Sequence, residues 1–265
     1  MKKIIAIVLT ALLLAACLCG CTANTTKGKL VLGTSADYPP FEFHMLDANG
    51  KDVIVGIDVS VAQKIAEDMG LELEIVDISF DNLLTAMDKG QCDIVIAAME
   101  QDAERDLVAD FSDPYYTDYP PMVLVKAANA ADYTSLESFS GKSVGAQTAT
   151  TKEDIVKNDM TGANLVSLQN VNDMVNQLVN DKLDAIVLDG AVALQYADTN
   201  PDLIVAEADL GEAYPYCVAV AKGDPKGLLP GINEAIADML ANDKVTEFIA
   251  EADALGDVAV EVTAE

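Results

Sequence analysis

The chain has 265 residues and a formal charge of −28, from 16 basic and 44 acidic side chains. A surface this acidic repels nucleic acid and anionic lipid, so nucleic-acid partners are excluded. Half of the residues are hydrophobic (51%), so the composition can build a real core.

Lys2 and Lys3 precede an uncharged run from Ile4 to Ala16. A basic start, a short apolar stretch and small residues before a break read as a secretory signal peptide over residues 1–16. The run is too short to span a bilayer comfortably. Leu14-Ala15-Ala16-Cys17 resembles a bacterial lipobox, in which the cysteine is lipidated and becomes the new N-terminus, and Cys21 is the alternative. An ordinary cleaved signal with incidental cysteines is the other reading. Residues 17–28 are polar and aperiodic, a flexible tether. The roughly 235 residues that follow suffice for one large or two medium domains.

Residues 29–35 read as a short apolar strand. The segments 41–45 and 52–58 flank Asn49-Gly50, which supplies hairpin turn chemistry. The turn superficially suggests a calcium loop, but Lys51 and Asp52 occupy positions where such a loop needs a ligand and a glycine. Residues 58–70 form an amphipathic helix, with Ala62, Ile65, Ala66 and Met69 on one stripe and Gly70 as its stop. Strand 71–78, helix 81–90 and strand 92–98 follow. After 140 the same grammar returns: strand 143–147, helix 151–159, strand 164–168, helix 171–181 and strand 184–189. Helices alternating with strands predict an α/β fold with largely parallel sheets. Cys92 and Cys217 are the only cysteines of this body, and both sit among apolar residues. Two buried thiols are expected, with a Cys92–Cys217 bridge as the alternative. The single histidine, His44, lies beside the 47–52 turn, and no metal-ligand spacing appears.

Residues 86–98 and 177–189 echo each other at an offset of 91. In both, a helix leads into an aspartate (Asp93, Asp184), three apolar residues follow, and the strand ends. The echo suggests two lobes built alike. Ligands of open α/β sheets bind beyond the carboxyl ends of strands. That places Ala98 to Arg105 on one lobe and Asp189 on the other, across one cleft. Arg105 is the only arginine in the chain, among six acids in residues 100–116. A planar guanidinium makes two parallel hydrogen bonds to a carboxylate where lysine offers a point charge. A surface pairing with Glu104 or Asp106 is the alternative role.

Six segments, 33–43, 56–66, 80–99, 104–116, 141–151 and 216–225, occur in the order found in a known family. The chain resembles the bacterial extracellular solute-binding proteins of polar amino-acid uptake, the lipoprotein or periplasmic receptors of ABC importers, from about Leu30 to about Leu255. The resemblance implies a two-lobed, type II periplasmic-binding-protein-like fold with two hinge crossings and a ligand cleft between the lobes. Lobe 1 is then 28–118 with 216–258, lobe 2 is 119–215, and 259–265 is a C-terminal tail. Residues 120–126 would make the first crossing and 212–217 the second. The implied partners are a small amino-acid ligand, ABC permease subunits and, through the lipid anchor, the membrane. A monomer without cofactor or metal is expected. Rival readings are an enzyme on the same fold, such as a cyclohexadienyl-dehydratase-like protein, and a ligand-sensing receptor module.

By the same resemblance, Arg105 grips the ligand α-carboxylate and Asp189 receives its ammonium; a helix N-cap is the alternative role for Asp189. Thr150 and Thr151 are donors at a helix start, Ala98 contributes its backbone, and Tyr38 and Phe80 sandwich the side chain. Ser35, Asp37, Glu100 and Gln147 complete the implied set. Four positions depart from the family pattern. Ser35 stands where members that bind cationic side chains often keep an acid, with Asp37 two residues away. Ala149 replaces a glycine, Ser60 an acid, and Glu100 a serine or threonine that donates to the α-carboxylate. Near the cleft only Lys152 accompanies Arg105, against Asp37, Glu100 and Asp189. Two like charges about 4 Å apart repel by roughly 4 kcal/mol at an effective dielectric near 20. A polar or cationic ligand is therefore expected over an acidic one, less strongly if Glu100 faces solvent.

Overall fold

The computed structural model describes residues 28–262, with side chains described as far as residue 255. The expected signal peptide, Cys17 and Cys21 lie outside the described residues. The first lobe contains β1 (Lys29–Thr34), β2 (Asp37–Tyr38), β3 (Glu42–Leu46), β4 (Asp52–Val55), α1 (Ile57–Asp68), β5 (Glu72–Asp77), α2 (Leu83–Asp88), β6 (Ile94–Val95), β7 (Ala109–Phe111) and β8 (Tyr116–Thr117). The second holds β9 (Met122–Lys126), β10 (Ser143–Gln147), α3 (Thr151–Asn158), β11 (Asn164–Leu168), α4 (Val171–Val179), β12 (Ala185–Leu188), α5 (Gly190–Thr199) and β13 (Leu203–Val205). The chain returns through β14 (Pro215–Tyr216) to β15 (Ala219–Ala221), α6 (Leu229–Ala241) and α7 (Lys244–Val262). The last helix thus takes in residues 259–262 of the expected tail.

Each lobe is built on one five-stranded sheet, ordered β5-β1-β6-β15-β7 and β11-β10-β12-β9-β13. In both, the first three strands are parallel and the fourth runs antiparallel to its neighbours. The internal echo falls on the middle strands, β6 and β12. Asp93 accepts from Val31 N at 2.8 Å, and Asp184 accepts from Ser143 N at the same distance. Each aspartate thus locks the start of its middle strand to the neighbouring parallel strand. A Cβ on Gly33 would lie 2.7 Å from Cys92 Sγ, and one on Gly145 2.8 Å from Leu183 Cδ1, so both neighbouring strands carry a glycine for the same close approach.

The predicted stripe of α1 is the buried one: Ala62, Ile65 and Ala66 are fully buried against the first sheet and the C-terminal helices, and Gly70 takes the left-handed turn at φ 70°. Cys92 and Cys217 are both buried and free. Strands β8 and β14 pair antiparallel, Tyr116 opposite Tyr216, and carry the two passages between the lobes side by side. Residues 122–126, expected to belong to the first crossing, instead form β9 inside the second sheet. Val123, Leu124 and Val125 are fully buried, which a solvent-washed hinge strand could not satisfy. Phe41 packs under the passages, 5.6 Å from Tyr116 and 5.3 Å from Tyr216 between ring centres.

Candidate functional site

The carboxyl ends of the two sheets face each other, and the residues that follow β6, β10 and β12 meet between the lobes. Arg105 is 8% exposed and every polar contact orients its plane. Nη1 donates to Glu100 O at 2.6 Å and Nη2 to Ala149 O, in the opposite lobe, at 3.1 Å. Nε lies 3.3 Å from Asp102 Oδ2, and the guanidinium carbon stands 5.4 Å from the Phe80 ring centre. The surface pairing with Glu104 or Asp106 is not what forms. Of the five N–H groups of a guanidinium, these contacts use three.

Asp189 occupies the N-cap position of α5, yet its side chain makes no capping bond. It turns into the cleft instead. Oδ2 accepts from Tyr38 OH at 2.7 Å, and Oδ1 lies 2.7 Å from Lys152 Nζ. Glu100 is 3% exposed and faces inward: Oε2 accepts from Thr151 Oγ1 at 2.5 Å, and Oε1 lies 3.2 Å from Lys152 Nζ. Burial works against the Lys152 charge. Asp189 and Glu100 outweigh it and hold the ammonium above its ordinary pKa. The repulsion assigned to Glu100 from the sequence is therefore reduced, because Lys152 neutralises it.

Thr150 caps α3: its hydroxyl accepts from Glu153 N and donates to Gln147 O. Before it, Ala149 sits at φ 65°, the left-handed conformation that explains why a glycine is the usual choice there. Ala98 is likewise left-handed, at φ 45°, with its N–H held by Asp58 Oδ2 at 2.6 Å, while Tyr115 OH donates to the other Asp58 oxygen. The Ala98 amide is thus turned away from any ligand. Asp37 accepts from Ser35 Oγ and, across the cleft, from Val171 N at 2.7 Å. Burial pushes its carboxyl up to about 6 against those bonds. Gln147 Nε2 donates to Gln169 O. Glu42, fully buried against Asp58, has its carboxyl pushed well above its ordinary value by burial first and by Asp58 second.

Ser35, Asp37, Tyr38, Phe80, Ala98, Glu100, Arg105, Gln147, Thr150 and Asp189 therefore line one cavity, joined by Glu42 and Lys152. Thr151 stands at its edge through Glu100. The remaining void is about 10 Å³, so the lobes are closed on one another. A cavity of about 400 Å³ opens beside Asp37, between His44 and Asp77 of one lobe and Gln169 and Asn170 of the other, with Pro39 and Phe43 also in its wall. Sequence reasoning omitted Lys152 from the site. The available signal was Glu100 itself, since an acid in place of a hydroxyl needs a cation when buried. Among the described residues, no group of three or more His, Cys, Asp or Glu side chains is placed to hold a metal, and no helix is long and apolar enough to cross a membrane.

Residues 30–251 match the family model of the bacterial extracellular solute-binding proteins, family 3. The chain belongs to that family. The arginine-binding extracellular protein ArtP of Bacillus subtilis is 32% identical, over 89% of this chain and 94% of that protein. A probable histidine-binding protein of Campylobacter jejuni is also 32% identical, over 82% of each chain. Among solved structures, the amino acid ABC transporter substrate-binding protein AbpA of Streptococcus pneumoniae, bound to L-arginine, superposes with a TM-score of 0.82. Its identity is 32%, and the match covers 86% of this chain and 96% of that one. An ancestral arginine-binding protein bound to glutamine gives 0.77 at 35% identity, covering 85% and 97%. As a solute-binding protein of this family, the chain has the expected two-lobed fold with a closed interlobe cleft.

Proposed function

We propose that this solute-binding protein is the extracellular capture component of an ABC importer and takes a small polar or cationic amino acid between its lobes. The observation that carries this reading is the single cavity lined by Arg105 from the first lobe and Asp189 from the second, both buried. Arg105 suits an α-carboxylate, because its plane is already fixed and two N–H groups remain for a fork. Asp189 suits an ammonium group. With about 10 Å³ of free space the cleft must open to admit a ligand, and the passages at β8 and β14 are where it flexes. We place the lobe boundaries there, at 118/119 and 215/216.

The side chain of the ligand points toward Asp37 and the cavity beside it. Asp37, Glu100 and Asp189 against Arg105 and Lys152 leave the pocket net acidic when Asp37 is ionised, which favours a cationic or neutral ligand. Arginine in one related structure and glutamine in another fit that balance. The protein binds without turnover, acts as a monomer, and is held to the membrane by lipid on Cys17. Calorimetry with arginine, lysine, glutamine, glutamate and aspartate, on wild type and Glu100→Ser, tests the reading. Arginine, lysine or glutamine should bind more tightly than either acid, and the gap between glutamine and glutamate should narrow in Glu100→Ser. Tighter binding of glutamate or aspartate than of any neutral or cationic amino acid would refute it.

A further inference from the structure

Asp189 sits at the N-cap position of α5 and does not cap it. An N-cap carboxylate ordinarily accepts from the backbone N–H of the second or third helical residue. In α5 those residues are Ala191 and Val192. The Ala191 N–H is taken, but by a carboxylate from 73 positions earlier: it donates to Asp118 Oδ2 at 3.2 Å. Asp118 follows β8 directly, on the first passage between the lobes, and is buried. Its Oδ2 also accepts from Tyr216 OH, on the second passage, at 3.1 Å, and its Oδ1 from Tyr116 OH at 3.4 Å.

The start of α5 is pressed onto the same passage. A Cβ on Gly190 would lie 2.5 Å from Tyr119 Cβ and 2.7 Å from Pro120 O, so only glycine allows the approach that brings the Ala191 amide to Asp118. A carboxylate at a helix N-terminus also suits the helix dipole. The capping task of α5 is thus filled from the passage. The Asp189 carboxylate is left to the cleft, where Tyr38 OH and Lys152 Nζ each stand 2.7 Å from it. We propose that Asp118 is a positioning residue for ligand binding: by capping α5 in place of Asp189, it keeps the Asp189 carboxylate turned into the cleft for a ligand ammonium. This rests on reading the cleft as the amino-acid site. Without Asp118 the Ala191 N–H loses its acceptor, and Asp189 already stands at the position from which a side chain can replace it. Helix and ligand then compete for one carboxylate.

Asp118→Ala removes the acceptor. Asp118→Asn keeps one, since its side-chain carbonyl can accept from Ala191 N and Tyr216 OH while its amide faces Tyr116 OH. L-arginine is titrated by calorimetry into wild type and both variants, alone and in competition with its analogue without the α-amino group, which gives both affinities. Asp118→Ala should bind L-arginine about tenfold more weakly than wild type, about 1.4 kcal/mol, the order of an N-cap bond. It should bind the analogue as wild type does, because the analogue brings no ammonium to Asp189. A merely structural role would weaken both ligands alike. Asp118→Asn should recover most of the loss. A crystal structure of Asp118→Ala, grown without added amino acid, should show the Asp189 carboxylate within hydrogen-bond reach of Ala191 N or Val192 N. Equal weakening of both ligands, unchanged L-arginine affinity, or an Asp189 carboxylate clear of both amides overturns the proposal. Should Asp118→Ala fold poorly, Asp118→Leu, with a similar branched outline and no acceptor, replaces it in every measurement with the same expectations. If wild type binds both ligands equally or neither, the amino-acid reading fails, while the crystal structure still decides whether Asp118 keeps Asp189 from the helix.

Discussion

Replacing Arg105 with alanine removes the group on which the proposed head-group recognition depends most. The guanidinium is fixed by Glu100 O, Ala149 O, Asp102 and the Phe80 face, so an incoming carboxylate meets a plane that needs no further ordering. Removing one partner of a buried charged pair costs roughly 3–5 kcal/mol. Each 1.4 kcal/mol is about tenfold in Kd, so Arg105→Ala should weaken binding by about two to three and a half orders of magnitude. Arg105→Lys should recover only part of the loss, because it restores the charge without the fork. Calorimetry on both variants with the tightest amino acid found for wild type measures this, with circular dichroism confirming the fold. Arg105→Ala binding within about threefold of wild type would refute the reasoning.

Ala149→Gly should stabilise the protein by about 0.5–1 kcal/mol. Relief of the left-handed backbone, worth roughly 1–2 kcal/mol, exceeds the added unfolded-state entropy of glycine; a fall in the urea midpoint would contradict this. Asp37, with a carboxyl at about 6 against an ordinary 3.8, takes up a proton more readily when folded. Its stabilising contribution is therefore complete below about pH 4 and lost as pH rises through 6, about 3 kcal/mol in all. Asp37→Asn should flatten the stability profile over that window; an unaltered slope would count against it. Asp118, also at about 6 through burial and then Asp189, keeps its own share of the slope. Cys17→Ser should abolish lipid-dependent membrane retention in cells, and unchanged processing and retention would move the anchor to Cys21.

The architecture was legible wherever one element announces itself locally. The stripe on α1, the glycine stops and the repeated helix-to-aspartate-to-strand joint all read directly, and the joint is repeated because Asp93 and Asp184 hold equivalent strand starts. Arg105 and Asp189 were legible as a lone guanidinium and an acid ending a buried strand. What escaped depends on contacts between distant segments. Lys152 finds Asp189 across 37 positions within its own lobe and Glu100 across 52 in the other, and the second pairing exists only when the lobes close. Asp58 looked like a helix-start residue, yet its carboxylate turns the Ala98 amide away from the cleft, a role visible only once β6 is laid beside α1. Residues 120–126 were ambiguous because a buried central strand and a crossing strand share the same apolar pattern, and only pairing with β12 and β13 separates them.

The most direct test of the cleft as an amino-acid site alters the head group of the ligand and leaves the protein untouched. L-arginine, its methyl ester and its analogue without the α-amino group are titrated into wild-type protein by calorimetry. The ester presents no carboxylate to Arg105, and the deaminated analogue no ammonium to Asp189. Each should bind at least a hundredfold more weakly than L-arginine, a loss of about 2.7 kcal/mol or more. Equal affinity for all three would mean that neither Arg105 nor Asp189 reads the head group, and the central assignment would fall.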